Sequence, residues 1–301
     1  MRKFAAKFIF LLPIAIVIIP SHTSLIANIG MKGQIMNQQS SDVPPLDINN
    51  LSITVVYDNN PHKQGLQTEW GFSAYITGPE KTILFDTGGS SVLLENMEKL
   101  AIEPNSINVV VLSHIHTDHT GGLSSFLEKN SNVIIYPLQS FPTKFKENAR
   151  SYRAKIVEVN EPVKICENVY STGQLGTAII EQSLIIRTDK GLVIITGCAH
   201  PGIIEIITEA KELLNDDILL VMGGFHLGWA TKGDIENIIS SFKQLGVQYV
   251  APTHCTGEKA RKLFAQHFGQ NYIDIGAGKV ISTAELVVTT NSATSEQAGD
   301  I

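Results

Sequence analysis

Apolar positions change period twice along the chain, and each change marks a different kind of element. Phe8 to Pro20 (FIFLLPIAIVIIP) is one continuous apolar run behind Arg2, Lys3 and Lys7. From Leu51 the pattern becomes strand-like: LSITVVY, then GFSAYITGPEKTILFD, in which Gly78-Pro79-Glu80-Lys81 separates two apolar runs as a hairpin turn does. This part predicts antiparallel sheet. NVVVLS (Asn108 to Ser113) reads as a buried strand, and LSSFLEK beyond it as a short helix. SLIIRT and LVIIT flank the turn Asp189-Lys190-Gly191 as paired strands. Ile203, Ile206, Ile207, Ala210, Leu213 and Leu214 then fall at helical spacing before the buried strand DILLVMGG. Ile235, Ile238, Ile239, Phe242 and Leu245 repeat the device, closed by Gly246 and followed by the strand VQYVAP. A third helix runs from Gly257 to Phe268, a final strand pair surrounds IGAGK, and a polar tail follows Val288. Helices packed outside two sheets would cover every apolar face, which predicts an α+β fold, an αββα sandwich of two mixed sheets.

The N-terminal run has the basic flank and the length of a secretory signal. Its thirteen residues fall short of the roughly 20 that span a bilayer, and Pro13 interrupts it. The expectation is export to a periplasmic or extracellular space. No clean Ala-x-Ala follows; Ala27, with Leu25 at the −3 position, is the best cleavage candidate, and an uncleaved membrane anchor through residues 8–20 is the alternative. The expected divisions are residues 1–27 for the signal or anchor, 28–50 for a polar linker, 51–288 for one domain and 289–301 for a flexible tail.

Composition narrows the function. With 43% hydrophobic and 17% charged residues, the chain can bury a full core. Twenty-nine acidic against 23 basic residues give a net charge of −6, with no surplus for holding a polyphosphate backbone. A small molecule is therefore expected as partner, and nucleic acid is not. Cys166, Cys198 and Cys255 are too few and too scattered for a disulfide framework or a zinc ribbon.

The histidines carry the chemistry. His114-Ile115-His116-Thr117-Asp118-His119 places three imidazoles and a carboxylate in six residues after a buried strand. Chance would produce this pattern about 3 × 10⁻⁴ times in a chain of this composition. Alternate residues leaving the strand turn His114 and His116 toward one ion, while Asp118 and His119, entering a helix, reach a second. Imidazole and carboxylate suit Zn²⁺, one or two ions, with Mn and Fe also compatible. His200 in TGCAH and His254 in PTHCTG sit at later strand ends; His200 is assigned to the first ion and His254 to the second. His226 in GGFHL is the rival for either place, and His22, His62 and His267 are bystanders.

HIHTDHTGG, preceded by FDTGGS and followed by strand-end histidines, resembles the metallo-β-lactamase-fold superfamily over about residues 51–285. Within it, TEWGFSAYI, TGCAHPGI, GGFHL, PTHCTG and IGAGKVI are similar to the subgroup of 7,8-dihydropterin-6-methyl-4-(β-D-ribofuranosyl)aminobenzene-5′-phosphate synthase-like hydrolases. The resemblance implies an αββα sandwich with a mono- or dinuclear metal site between the sheets. It makes His114 and His116 ligands of one ion, Asp118 and His119 ligands of the other, and His254 the superfamily's final histidine. Members commonly carry Gly-Asp where this chain has Gly197-Cys198, so a bridging carboxylate is missing. Two readings stand for Cys198: a thiolate ligand, or a small buried residue beside the binding His200. Asp86 is expected to orient a ligand histidine rather than to bind.

The expected chemistry is hydrolysis of a small ester, lactone, amide or phosphoester by metal-bound hydroxide, since a metal lowers the pKa of its water toward about 7. Asp118 and His226 are the candidate catalytic groups, His226 as donor to developing negative charge. Trp70 and Phe72 are candidates for substrate binding, with core packing as the alternative, and no spacing supports Glu69 as a proton carrier. The competing readings are a pterin-related synthase or transferase and a non-catalytic metal-binding protein. IGAGK lacks the remainder of a phosphate-loop pattern.

Overall fold

The structure, a computed structural model, describes residues 43–282 and Leu286. Two sheets face each other. In the first, β1 (Ser52–Asp58), β2 (Phe72–Thr77), β3 (Ile83–Phe85), β4 (Val109–Val111), β5 (Ile134–Tyr136), β6 (Lys155–Ile156) and β13 (Val280–Ser282) lie in the order β13-β1-β2-β3-β4-β5-β6. In the second, β7 (Val163–Cys166), β8 (Val169–Ser171), β9 (Leu184–Thr188), β10 (Gly191–Thr196), β11 (Ile218–Gly224) and β12 (Tyr249–Thr253) lie in the order β12-β11-β10-β9-β8-β7.

Strand periodicity makes the layers. In β10, Val193 and Ile195 face the core shared with the first sheet, while Leu192 and Ile194 face the helices outside. In β9, Leu184 and Ile186 point inward and Ile185 outward. The outer helices bury matching stripes: α1 (Val92–Lys99) and α3 (Leu123–Lys129), on either side of the short α2 (Thr117–Thr120), join the core of the first sheet. After α4 (Thr143–Ser151), α5 (Ile203–Leu214), α6 (Lys232–Gln244) and α7 (Glu258–Phe268) cover the second sheet. All six apolar positions read at helical spacing in α5 are buried. In α6, Thr231 and Asp234 form a reciprocal capping box at the start. At its end Gly246, with φ 80°, lets Gly246 N donate to Lys243 O and Val247 N to Phe242 O, so the helix stops there. The result is the αββα sandwich.

The structure corrects three expectations. The first half is not wholly antiparallel: β3, β4, β5 and β6 pair parallel, because crossovers through α1 to α4 return the chain in the same direction. Among the described residues IGAGK is followed by one strand, β13, paired with β1, and is not the centre of a strand pair. Its backbone serves β1 and the turn that follows it instead, with Gly278 N donating to Val55 O at 2.7 Å and Ala277 N to Asn60 O at 2.8 Å. The end of the expected linker is also folded, since Leu46 N donates to Arg187 O and Ile48 is buried. The N-terminal apolar run and the C-terminal tail lie outside the described residues.

Candidate metal centre

The site forms where strands of both sheets end. Asp86, after β3, takes a left-handed backbone conformation (φ 57°). Its Oδ1 accepts from Ser113 N at 2.7 Å and its Oδ2 from Ser113 Oγ at 2.7 Å. The same Oδ2 lies 2.7 Å from His119 Nδ1. A carboxylate only accepts, so His119 carries its proton on Nδ1 and presents a bare Nε2. Ser113 Oγ, with its proton given to Asp86, accepts from His114 Nδ1 at 2.9 Å, which leaves His114 Nε2 bare as well. Asn59 Oδ1, 2.8 Å from His254 Nδ1, does the same for His254. Three buried imidazoles are thereby locked in one tautomer, each Nε2 turned inward.

The inward atoms fall into groups. The ligand atoms of His114, His116 and His200 lie within 4.8 Å of one another, as do those of Asp118, His119, Cys198 and His254. Cys198, His200 and His226 form a third such set. His114 Nε2 is 3.1 Å from His116 Nδ1, His119 Nε2 is 3.2 Å from Cys198 Sγ, and Asp118 Oδ2 is 3.3 Å from His254 Nε2. The buried Nε2 atoms of His200 and His254 have no hydrogen-bond partner. Bare nitrogen lone pairs in a buried space are unfavourable unless a cation takes them, and imidazole, carboxylate and thiol donors at this spacing fit a metal ion.

A second carboxylate, absent from the sequence reading, shapes the loop that carries Cys198 and His200. Glu181 is buried; its Oε1 accepts from Thr196 Oγ1 and from the backbone N–H groups of Gly197, Cys198 and Ala199 at 2.9–3.1 Å. Its Oε2 accepts from His200 N at 2.9 Å and stands 4.0 Å from His114 Nδ1. An isolated glutamate before a strand gives no spacing signal. Asn59 and Ser113 carry no spacing signal either. Ala199, His226 and His254 share the left-handed backbone of Asp86, so four non-glycine residues at the site hold a conformation that costs about 1 kcal/mol or more each.

Burial and the surrounding histidines hold the His114 imidazole far below its ordinary range, hence neutral. His200 is lowered to about 4 by burial and then by His226 and His116. For Asp118, burial favours the neutral acid, but the adjacent imidazoles of His254 and His119 outweigh it and bring the carboxyl to about 2. Burial raises Glu181 against the pull of its backbone donors.

A family model described as the metallo-β-lactamase superfamily matches residues 71–203. The 7,8-dihydropterin-6-methyl-4-(β-D-ribofuranosyl)-aminobenzene-5′-phosphate synthase of Methanocaldococcus jannaschii is 28% identical over 287 residues, covering 78% of this chain and 97% of that protein. An uncharacterised protein of the same organism is 30% identical over 260 residues, covering 76% and 99%. The crystal structure of Tm1679, a metal-dependent hydrolase of the β-lactamase superfamily, matches with a TM-score of 0.66 at 31% identity, covering 77% of this chain and 98% of that one. The chain belongs to the metallo-β-lactamase superfamily. The short form of human tRNase Z, with a TM-score of 0.54 and 12% identity over 77% of this chain and 99% of that one, shares the superfamily's fold. Metallo-β-lactamase membership together with the clustered donors supports a metal and, in general terms, metal-dependent hydrolysis.

The residues read from the sequence do not all reach this superfamily site. Asp86 lies behind His119, in a place to orient it. Trp70 is 59% exposed, with its ring 4.8 Å from that of His254. Phe72, a candidate for substrate contact, is corrected: it is fully buried in β2 and packs in the core. The chain turns at Gly71 (φ 145°) before β2 begins, so strand alternation does not carry Trp70 and Phe72 to one face. Glu69 accepts from Tyr57 OH at 2.7 Å and Ser90 Oγ at 2.6 Å. His226 is exposed, its ring 4.4 Å from that of His200, and both border a cavity of about 370 Å³ lined also by Gly176, Ile179, Pro201 and Glu205. A cavity of about 640 Å³ between Lys190, Lys243 and Asn271 contains none of the clustered donors. His62 and His267 are exposed and apart from the cluster.

Two predictions follow from this geometry. Replacing Glu181 by Gln puts an N–H donor among the backbone donors of the 196–200 loop; zinc affinity, measured by competition with a chelator, should fall about 10- to 100-fold, and an unchanged affinity contradicts the bracing role. In metal-free protein, the unfolded chain protonates His200 near its ordinary 6.5 while the folded chain resists until about 4. The unfolded state therefore binds more protons in that window, and stability falls as pH drops from 6.5 toward 4. Urea melts across the window should show this slope in the wild type and a shallower one in His200→Gln; equal slopes would remove His200 as the cause.

Proposed function

We propose that this protein is a zinc-dependent hydrolase of a small ester, lactone, amide or phosphoester. The observation that carries the reading is the convergence of His114, His116 and His200 beside Asp118, His119 and His254, with buried Nε2 atoms left unpartnered. When bound, the metal supplies Lewis acidity and a water acidified toward about 7. The protein's own groups divide the remaining work. Asp118 stays ionised through the neutral range and can accept a proton at Oδ2 or hold a cation there. His226 stands at the rim of the cavity, where the neighbouring Cys255 sulfur raises the pKa of its imidazole and partial burial opposes the shift. From there its imidazole donates to charge developing on a leaving group. The cavity of about 370 Å³ is in the range of small-ligand sites, and Trp70 offers an exposed ring beside His254.

The name of the 28% identical Methanocaldococcus jannaschii relative favours a second reading, a synthase or transferase acting on a dihydropterin and a ribofuranosylaminobenzene phosphate. The basic flank and apolar run of residues 2–20 support export instead, which would separate the protein from cytoplasmic intermediates. A small molecule as partner, and not nucleic acid, is favoured by the net charge of −6. No helix among the described residues is long and apolar enough to cross a membrane. An uncleaved N-terminal segment would associate with a membrane through residues 8–20.

Zinc-loaded protein should hydrolyse at least one member of a panel of esters, lactones, amides and phosphoesters. Chelation or His116→Ala should reduce that turnover on the order of 100-fold. Turnover indifferent to both sinks the proposal; bound zinc without turnover on any member favours a non-catalytic metal protein, and condensation of the pterin and phosphate substrates favours the synthase. Export predicts that protein recovered outside the cytoplasm has a mature N-terminus near Ala27, or is intact in the membrane fraction; recovery of the intact chain in the soluble cytoplasm contradicts it.

A further inference from the structure

Two of the three cysteines meet at the metal centre. Cys198 follows β10 and Cys255 follows β12, both are buried, and β11 runs between them. They approach across Gly224, the last residue of β11. A Cβ at that position would clash with the Gly197 carbonyl oxygen and stand 2.7 Å from Cys255 Sγ and 3.3 Å from Cys198 Cα, so only a bare backbone fits between them. The Cys255 thiol donates to the Cys198 carbonyl oxygen at 3.6 Å, which places its sulfur against the Cys198 residue. Both are free cysteines, and the proposed hydrolytic chemistry uses Cys255 only as a neighbour of His226. On its other side Cys198 Sγ faces His119 Nε2 at 3.2 Å and belongs to the donor group of Asp118, His119 and His254. One sulfur therefore has two neighbours that it cannot serve at once. Cys166, in the edge strand β7, belongs to none of the donor groups.

We propose that Cys198 and Cys255 form a reversible disulfide whose formation excludes metal from the Asp118–His119–His254 group. A disulfide needs two side chains facing each other a few ångströms apart, and the bare backbone at Gly224 allows that approach. A peroxide is the oxidant. The sulfur of one thiol attacks the O–O bond of hydrogen peroxide, takes one oxygen as a sulfenic acid and releases one water. The sulfur of the second thiol then attacks the sulfenic sulfur, the S–S bond forms, and the departing hydroxide leaves as a second water with the remaining thiol proton. Two thiols are oxidised by two electrons and one peroxide is reduced to two waters. Small reductants reverse the step by thiol–disulfide exchange. The sulfur bound to Cys255 has lost the thiolate charge that would complete the donor set around a cation at His119. In the opposite direction, a cation held by the Cys198 thiolate shields it from peroxide. The exclusion rests on the metal-centre reading; the crosslink itself does not.

The full-length protein, stripped of metal, is treated with hydrogen peroxide, mapped by non-reducing peptide mass spectrometry and then titrated with zinc. The expected result is a peptide joining Cys198 to Cys255 with Cys166 still a free thiol, zinc uptake below that of the reduced protein, and recovery of the lost uptake after a thiol reductant. Zinc loaded beforehand should slow the crosslink on the order of tenfold. Cys255→Ser and Cys198→Ser should each abolish the crosslinked peptide, and the wild-type map stands on its own if either variant fails to fold. Absence of the Cys198–Cys255 peptide overturns the proposal, as does crosslinked protein that takes up zinc like the reduced form. Reduced protein that takes up no zinc overturns the metal-centre reading and the exclusion with it, while the crosslinked peptide still establishes the disulfide.

Discussion

Imidazoles crowded into a buried space must either turn bare lone pairs on one another or carry positive charge side by side, and the site of this protein is built on that conflict. His114, His119 and His254 each give the Nδ1 proton to an acceptor behind the ring, and the bare Nε2 atoms turn inward. Protonating the rings would relieve the lone pairs but place several charges together, and burial resists it for His114 and His200. A cation between them satisfies both demands. The acceptors Asp86, Ser113 and Asn59 thus decide the chemistry as much as the histidines do, because each determines which nitrogen is available.

Two carboxylates set the loops in place from opposite sheets. Asp86 joins the end of β3 to the end of β4 through Ser113 and reaches the helical turn that carries His119. Glu181 gathers four consecutive backbone donors from Gly197 to His200 and sets the turn that carries Cys198 and His200. Such donors compensate the cost of burying a carboxylate, and in return the left-handed residues Ala199 and Asp86 are held in conformations that the chain would not take alone. Rigid strands supply the anchoring: β10, β11 and β12 lie side by side and parallel, so their C-terminal ends, and the residues that follow them, open on one rim.

That side-by-side arrangement also explains the chemistry at sulfur. The loop after β10 carries Cys198, and a thiol, unlike a carboxylate, has an oxidised form. The partner needed for that form, Cys255, arrives from the strand two places away because the intervening β11 ends in glycine. Metal binding and redox chemistry are then alternatives for one atom, set by the same packing that closes the second sheet.

The sequence by itself determined the parts of this protein whose signals are local. His114, His116, Asp118 and His119 are close in space because they are close in the chain, and the apolar stripes of α5 and α6 show their buried faces through a period of 3.6 residues. Strand ends carrying His200, His226 and His254 were legible for the same reason. Only the tertiary structure decided which strands run parallel and that the Cys255 thiol lies against Cys198. Glu181 and Asn59 belong to this second class: a single polar residue has no period, and its role exists only when distant backbone donors or a distant ring are brought to it. Phe72 shows the limit from the other side, since one turn at Gly71 breaks the alternation that would have kept it on the face of Trp70 and sends the ring into the core. Contacts between residues far apart in the chain depend on how whole sheets pair and stack, and no short window of sequence contains that information.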